Sequence, residues 1–182
     1  MKTVFVVVVA TVIFALPAAG QPGSIGIFAD PGGTDCNLPD TQSGLTSYHI
    51  VHVNTPGAVA AQFYAPQPPC LDAMYLSDTF VYALYWGNSQ TGIAVSYGTC
   101  LSSPIYICAI NYFTQGLTEP CCYYPVLPDP AAPSGRIEVV DCNHETVYAT
   151  GGTGIVNSNL SCTCDVPTKY STWGKVKALY AE

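Results

Sequence analysis

Nine cysteines, three histidines and one oxygen-rich loop are the residues of this 182-residue chain whose types and spacing could do chemistry. Metal binding by Cys121-Cys122 together with Cys162-x-Cys164 is disfavoured, because no C-x2-C pair is present to form a zinc knuckle. A nucleophilic thiol needs a histidine and electropositive, partly open surroundings. Cys108 sits instead in the middle of the most apolar run, Ile105 to Ile110, and is read as a free thiol buried like any small hydrophobe. The other eight, Cys36, Cys70, Cys100, Cys121, Cys122, Cys142, Cys162 and Cys164, lie near turns and strand ends and are read as up to four structural disulfides. Adjacent Cys121 and Cys122 should take different partners, with Cys142 a natural one for either.

His49 and His52 flank a change of hydrophobic phase at Ile50/Val51. A β-bulge there would hold Ile50 and Val51 both towards the core and bring the two imidazoles to one solvent-facing side. Two imidazoles without a third ligand make a weak metal site, so they are read as polar residues on a wet face. His144, beside Glu145, falls in a turn. Asp30, Asp35, Asn37 and Asp40 offer the oxygen ligands that calcium prefers, but lack the spacing of an EF-hand, and turn chemistry explains them as well. No nucleophile elbow, H-E-x-x-H helix or phosphate loop occurs. The sequence therefore assigns no catalytic residue, no metal and no cofactor. Tyr82, Tyr85 and Trp86 share a predicted strand and form a candidate stacking platform for sugars or proteins, with aromatic core packing as the alternative.

The elements that position these residues follow a cleaved leader. Lys2, the apolar run Val4 to Leu16 and the small residues Ala18-Ala19-Gly20 mark residues 1–20 as a signal peptide. The run is short for a bilayer span, and no longer apolar run follows. The cysteines thus meet an oxidising compartment, secreted or at the cell surface. Without Lys2 the charged set is 4 basic against 12 acidic residues, which excludes nucleic acid as a partner for want of a basic footprint. Charged residues make up only 9 % of the chain, so polar uncharged side chains and tyrosine must cover much of the surface.

Short β-rich runs alternate with Gly, Pro, Asn and Asp, the pattern of an all-β antiparallel sandwich over residues 21–166. Predicted strands are Ser24–Ala29, Leu45–Asn54, Ala58–Tyr64, Thr79–Trp86, Gly92–Tyr97, Pro104–Phe113, Arg136–Asp141, Thr146–Thr150 and Gly154–Val156. Apolar on both parities, Ile105 to Ile110 reads as a central strand covered on both faces. Pro120 to Pro133 holds five prolines and reads as a long surface crossover. Residues 167–182 form a basic, aromatic tail. Lys169, Lys175 and Lys177 accompany Trp173, Val176 and Tyr180 at helical spacing, so a short helix docking on the acidic body or on a partner is expected.

Ser24-Ile25-Gly26-Ile27-Phe28-Ala29-Asp30-Pro31-Gly32-Gly33, Pro125 to Pro130 and the ending Trp173-Gly174-Lys175-Val176-Lys177-Ala178-Leu179-Tyr180 resemble a group of secreted proteins from environmental bacteria. That resemblance implies no activity, because the group has none established. The layout of an opening strand, a His52-Val53-Asn54 strand, a long central strand and a late glycine-rich strand is more loosely similar to cohesin and immunoglobulin-like sandwiches, which implies a fold and no function. The leading expectation is a non-enzymatic extracellular module, structural or adhesive, that acts through protein surfaces. A carbohydrate-binding module using Tyr82, Tyr85 or Trp86 is the alternative, and a secreted hydrolase comes third.

Overall fold

The structure, a computed structural model, describes residues 22–164. The expected leader, the tail from Lys169 to Tyr180 and its helix lie outside the described residues. Twelve strands follow in chain order: β1 Ser24–Phe28, β2 Asn37–Leu38, β3 Ser43–Val53, β4 Ala58–Phe63, β5 Ala73–Phe80, β6 Leu84–Asn88, β7 Gly92–Leu101, β8 Ile105–Gln115, β9 Cys122–Pro125, β10 Ile137–Asp141, β11 Thr146–Gly151 and β12 Thr153–Val156. Among the described residues there is no helix, and so none long and apolar enough to cross a membrane.

Nine strands run in the order β5-β8-β3-β1-β11-β10-β4-β7-β6. The joint between β1 and β11 is parallel and short, Ser24 pairing with Thr150 and Ile25 with Gly151. All other pairs in this sheet are antiparallel. The front layer β5-β8-β3-β1 and the back layer β11-β10-β4-β7-β6 enclose one core. From the front come Ile25, Ile27, Tyr48, Ile50, Ile107, Cys108, Ile110 and Tyr112; from the back come Phe63, Ile93, Val95, Tyr97, Ile137 and Val139. A small sheet, β2-β12-β9, adds Leu38, Val156 and Tyr124. The result is a disulfide-stapled all-β sandwich.

Alternation of side chains explains most of this, because every second residue of a strand faces the same layer. Three strands run against that rule. In β5 the exposed residues include Met74 and Leu76, while Asp78 turns inward and accepts hydrogen bonds from Ser89 N at 2.6 Å and Ser89 Oγ at 2.8 Å. Ala73, Tyr75 and Phe80 pack on the core while Met74 and Leu76 lie outside, so β5 shows no clean alternation, and the expected single strand Thr79–Trp86 is in fact the end of β5, a turn, and β6. The proline-rich stretch 120–133 is not a surface crossover. It contains β9, an edge strand of the small sheet, and buries Tyr124 and Val126. An edge position tolerates the prolines because the outer N–H groups need no partner. β2, only two residues long, carries no pattern to read.

Four disulfides join Cys36–Cys164, Cys70–Cys122, Cys100–Cys142 and Cys121–Cys162, and Cys108 is the unpaired cysteine, buried in the core. Burial pushes the Cys108 thiol well up from its ordinary value, so it stays protonated and unreactive. Cys121 and Cys122 do take separate partners. Neither takes Cys142, however, which closes onto Cys100 because β10 and β7 both flank β4.

β3 corrects the reading of the histidines. The register shift opposite Ile50/Val51 is real, but its extra residue is Ile107 on β8, since Ile50 pairs with Cys108 and Val51 with Tyr106. β3 itself keeps strict alternation against β1. Tyr48, Ile50 and His52 therefore face inward, and Leu45, Ser47, His49, Val51 and Val53 face outward. Val51 and Val53 are buried on that outer face, in a second cluster with Phe28 and Cys36. His49 and His52 thus lie on opposite faces, not on one wet side. His49 Nδ1 meets the Tyr106 hydroxyl at 3.3 Å, whereas His52 is fully buried and its Nε2–H donates to Pro22 O at 2.7 Å.

Burial lowers the pKa of His52, more than the Pro22 hydrogen bond raises it; burial also lowers that of His49, against the opposing pull of Asp30. In the unfolded chain a histidine titrates near its ordinary value of about 6.5. The resulting stability is complete above that pH and is lost as pH falls towards the lowered folded values, because the unfolded state then binds protons that the folded state refuses. The melting temperature should decline on acidification from about pH 6.5 to about pH 5. His52→Gln should flatten that limb in a thermal scan series; an unchanged slope would remove His52 as its cause.

Candidate functional site

The loop proposed for calcium does not gather its ligands. Asp30 spends both carboxylate oxygens on its own turn, accepting from Gly32 N at 2.8 Å, Thr34 N at 2.9 Å and Asp35 N at 2.7 Å. Asp35 accepts from Asn37 N at 2.9 Å, and Asp40 is buried elsewhere, with Oδ1 accepting from Gly116 N at 3.1 Å. Among the described residues no group of three or more His, Cys, Asp or Glu could hold a metal ion.

Tyr82, Tyr85 and Trp86 do not form one platform. Tyr82 lies in the turn between β5 and β6 and packs on Tyr97 with ring centroids 5.1 Å apart. Tyr85 stacks on Phe80 at 4.0 Å. Trp86 alone stands free, 83 % exposed, with Leu84 beside it at 71 %. Both project from the outer face of β6, the edge strand of the back layer.

The register across the back layer shows what they face. One row runs Trp86, Ala94, Gln62, Glu138, Tyr148, and the next runs Leu84, Ser96, Ala60, Val140, Thr146. Outward residues on the two middle strands, β4 and β7, are small at Ala60, Ala94 and Ser96, with Gln62 the one longer side chain between them. Those on the flanking strands are large. A sheet with a low middle and high sides is a groove, and its floor is two strands wide because alanine and serine fall at outward positions on both.

This groove is deep enough to form a cavity of about 390 Å³, lined by Ala60, Gln62, Leu84, Trp86, Ala94, Ser96, Glu138, Val140 and Thr146 among others. A second cavity of about 450 Å³ shares Ala60 and Ser96 with it and continues over Gly98, Thr99, the Cys100–Cys142 disulfide and His144. The two form one trough along β4 and β7. Its floor from Ala94 to Cys100 spans about 20 Å at the rise of a β-strand. At its head Gln62 Nε2 donates to Asp129 Oδ2 at 2.8 Å, and Asp129 Oδ1 accepts from Ala131 N at 2.8 Å. The buried Asp129 is packed so closely against Gly92, which adopts φ +118°, that any Cβ there would fall within 2.7 Å of the carboxylate. Gln62 is thus held fixed at the floor.

No lysine or arginine lines either cavity, and Glu138 is the only carboxylate that does. Arg136 stands close by, its guanidinium 4.9 Å from the Tyr148 ring centroid. Sequence reasoning singled out Trp86 by its aromatic character. It missed the floor, whose only trace is a coincidence of small residues on two strands that are paired in space.

The class this defines is a disulfide-stapled β-sandwich with an open trough on one outer face. No family model and no curated protein matches the chain. Among solved structures it is similar to the sixth cohesin of Acetivibrio cellulolyticus scaffoldin B, solved with a Cel5 dockerin, at 12 % identity and TM-score 0.48, covering 75 % of this chain and 98 % of that one. It is also similar to the cohesin module of a Clostridium perfringens family 33 glycoside hydrolase, at 7 % identity and TM-score 0.49, covering 76 % and 99 %. A non-cellulosomal cohesin from Archaeoglobus fulgidus gives 9 % identity and TM-score 0.46, covering 87 % and 98 %. Identities and scores this low transfer no residue, partner or activity to the chain.

Proposed function

We propose that the protein is an extracellular, non-enzymatic binding module that holds a segment of an uncharged polysaccharide chain in the trough of its back layer. The observation that carries this reading is the continuity of two cavities over Ala60 and Ser96, with the indole of Trp86 standing at one end. An open trough admits a linear polymer along its length, whereas a small molecule is held in an enclosed pocket. An exposed indole offers a flat apolar face for the C–H side of a sugar ring at low entropic cost. Gln62, Ser96, Glu138, Thr146, Thr99 and His144 supply polar groups along the way for hydroxyls.

Charge selects among polymers. With no lysine or arginine in the lining and an acidic chain around it, an anionic polysaccharide would meet repulsion and no counter-charge. A peptide strand gains little here, because the backbone groups of β4 and β7 are already paired within the sheet. Hydrolysis of the bound chain calls for a pair of carboxyl groups about the scissile bond, and Glu138 stands alone in the lining. The four disulfides fit an oxidising extracellular compartment, as does the leader expected at residues 1–20.

The experiment is retention on insoluble uncharged polysaccharides, on acidic ones and on immobilised protein, for the wild type and for Ala94→Phe, which fills the floor from an outward position. Retention on the uncharged polymers alone, insensitive to salt and lost in Ala94→Phe at an unchanged melting temperature, is the expected result. Retention that the filled floor leaves intact, or that is confined to protein or acidic polymers, would overturn the assignment. Protein docking, the leading expectation from the sequence, is tested by the immobilised-protein arm of the same experiment.

A further inference from the structure

On the outer face of the front layer, Leu45 pairs with Phe113 and Phe113 with Met74, so three apolar side chains form one row across β3, β8 and β5. They are 79, 40 and 61 % exposed, and Leu117, just past β8, is 66 % exposed. An apolar row of this kind on a soluble domain marks a contact surface. Beyond it lies a polar ladder, in which Ser47 Oγ donates to Asn111 Oδ1 at 2.7 Å and Asn111 Nδ2 donates to Thr79 Oγ1 at 2.9 Å. At the opposite end of the same face, Phe28, Cys36, Val51 and Val53 are buried with Tyr106 and Cys164 packed against them.

That opposite end is where the described chain stops. Cys164 is fixed there by its disulfide to Cys36, and the 18 residues that follow it start from this face. From Val51 to Leu45 is about 20 Å along β3. Eighteen residues span about 27 Å when helical and more when extended, so they reach the exposed row in either form. Their chemistry matches. Val166, Tyr170, Trp173, Val176, Leu179 and Tyr180 are apolar or aromatic, and Lys169, Lys175 and Lys177 are cationic. Residues 22–164 carry Arg136 as their only lysine or arginine, against ten carboxylates. Two of those, Asp72 and Glu119, are exposed beside the row: Asp72 precedes β5, and its N–H donates to Thr118 Oγ1 at 3.0 Å.

We propose that residues 165–182 turn back across the outer face of β3, β8 and β5 and cover the Leu45–Phe113–Met74 row, with tail lysines meeting Asp72 and Glu119. The front face is then occupied by the protein's own terminus, while the trough on the back face stays open.

Trypsin tests this directly, because its sites beyond Arg136 are the three tail lysines, and their products differ in mass. In the full-length protein, cleavage at Lys169, Lys175 and Lys177 is expected at least tenfold more slowly than in a synthetic peptide of residues 165–182. M74S/F113S should bring the rate to that of the peptide, with the melting temperature of the body monitored in parallel. Leu45→Ser serves as a second, milder variant should the double substitution lower it. W86A, on the other face, should change nothing. Equal rates in protein and peptide would overturn the proposal. So would protection that persists in the row variants, protection that appears only as protein concentration rises (which would assign the row to a second copy), or release by W86A (which would assign the tail to the trough).

Discussion

Trp86→Ala is expected to weaken binding of an uncharged oligosaccharide by about 30-fold or more while leaving the fold intact. The indole is the most exposed ring at the trough, since Tyr85, which also lines it, is stacked on Phe80, and aromatic anchors of this kind each contribute on the order of 2 kcal/mol or more at binding surfaces. At about 1.4 kcal/mol per tenfold, that corresponds to the stated loss. Folding should barely notice, because a residue 83 % exposed on an edge strand contributes little to the core. Tyr85→Ala should behave in the opposite way. Its ring is stacked 4.0 Å from Phe80, so its loss should lower the melting temperature more than the affinity. Paired titration and thermal scans of the two variants check both statements. Equal effects on affinity would mean that the two rings act as one platform after all.

The second large effect is on stability. Under the loop-entropy account, a bridge closing a loop of 128 residues, as Cys36–Cys164 does, contributes about 5 kcal/mol. The bridges Cys70–Cys122, Cys100–Cys142 and Cys121–Cys162 close loops of 52, 42 and 41 residues and contribute about 4 kcal/mol each. These are upper figures and do not add simply. Even so, two of them rival the whole stability of a typical domain, about 5–15 kcal/mol. Full reduction at 37 °C should therefore unfold the protein, as read by loss of near-ultraviolet circular dichroism. Survival of the tertiary signal after verified reduction would mean that the core alone sustains the sandwich.

Cys100–Cys142 carries a further consequence. It lines the second cavity and packs against Gly57, where any Cβ would collide with Cys142 Sγ. Removing this bridge should loosen the far end of the trough before it loosens the end at Trp86.

The comparison of residues with structure divides along a physical line. β10 is legible because burial imposes the inside–outside alternation on its sequence, and β1 and the Ile105–Ile110 run of β8 because they are apolar and largely buried on both faces. β5 is not, because it exposes Met74 and Leu76 and turns a half-buried Asp78 inward against Ser89, beside Tyr75 and Phe80, so that apolar residues fall on both faces. β9 is hidden by the prolines around it, which an edge strand accommodates. The misreading of His52 has a different origin. The phase change at Ile50/Val51 looks like a slip of β3, yet the extra residue sits on its partner β8, and the outward valines are buried by Phe28 and Cys36 from another part of the chain. No local pattern records a cover supplied from elsewhere. The same holds for the trough. Trp86 is visible as an aromatic in a strand, but Ala60, Ala94 and Ser96 become a floor only through the pairing of β4 with β7.

The most direct measurement of the central claim is a calorimetric titration of the folded, oxidised protein with a soluble, uncharged oligosaccharide long enough to span the trough. It is repeated with a short one of the same sugar, and with each against Ala94→Phe. The account predicts one site per chain, affinity that rises with oligosaccharide length, indifference to salt, and no heat in the filled variant. Binding that ignores chain length, or that persists undiminished when the floor is filled, would contradict it.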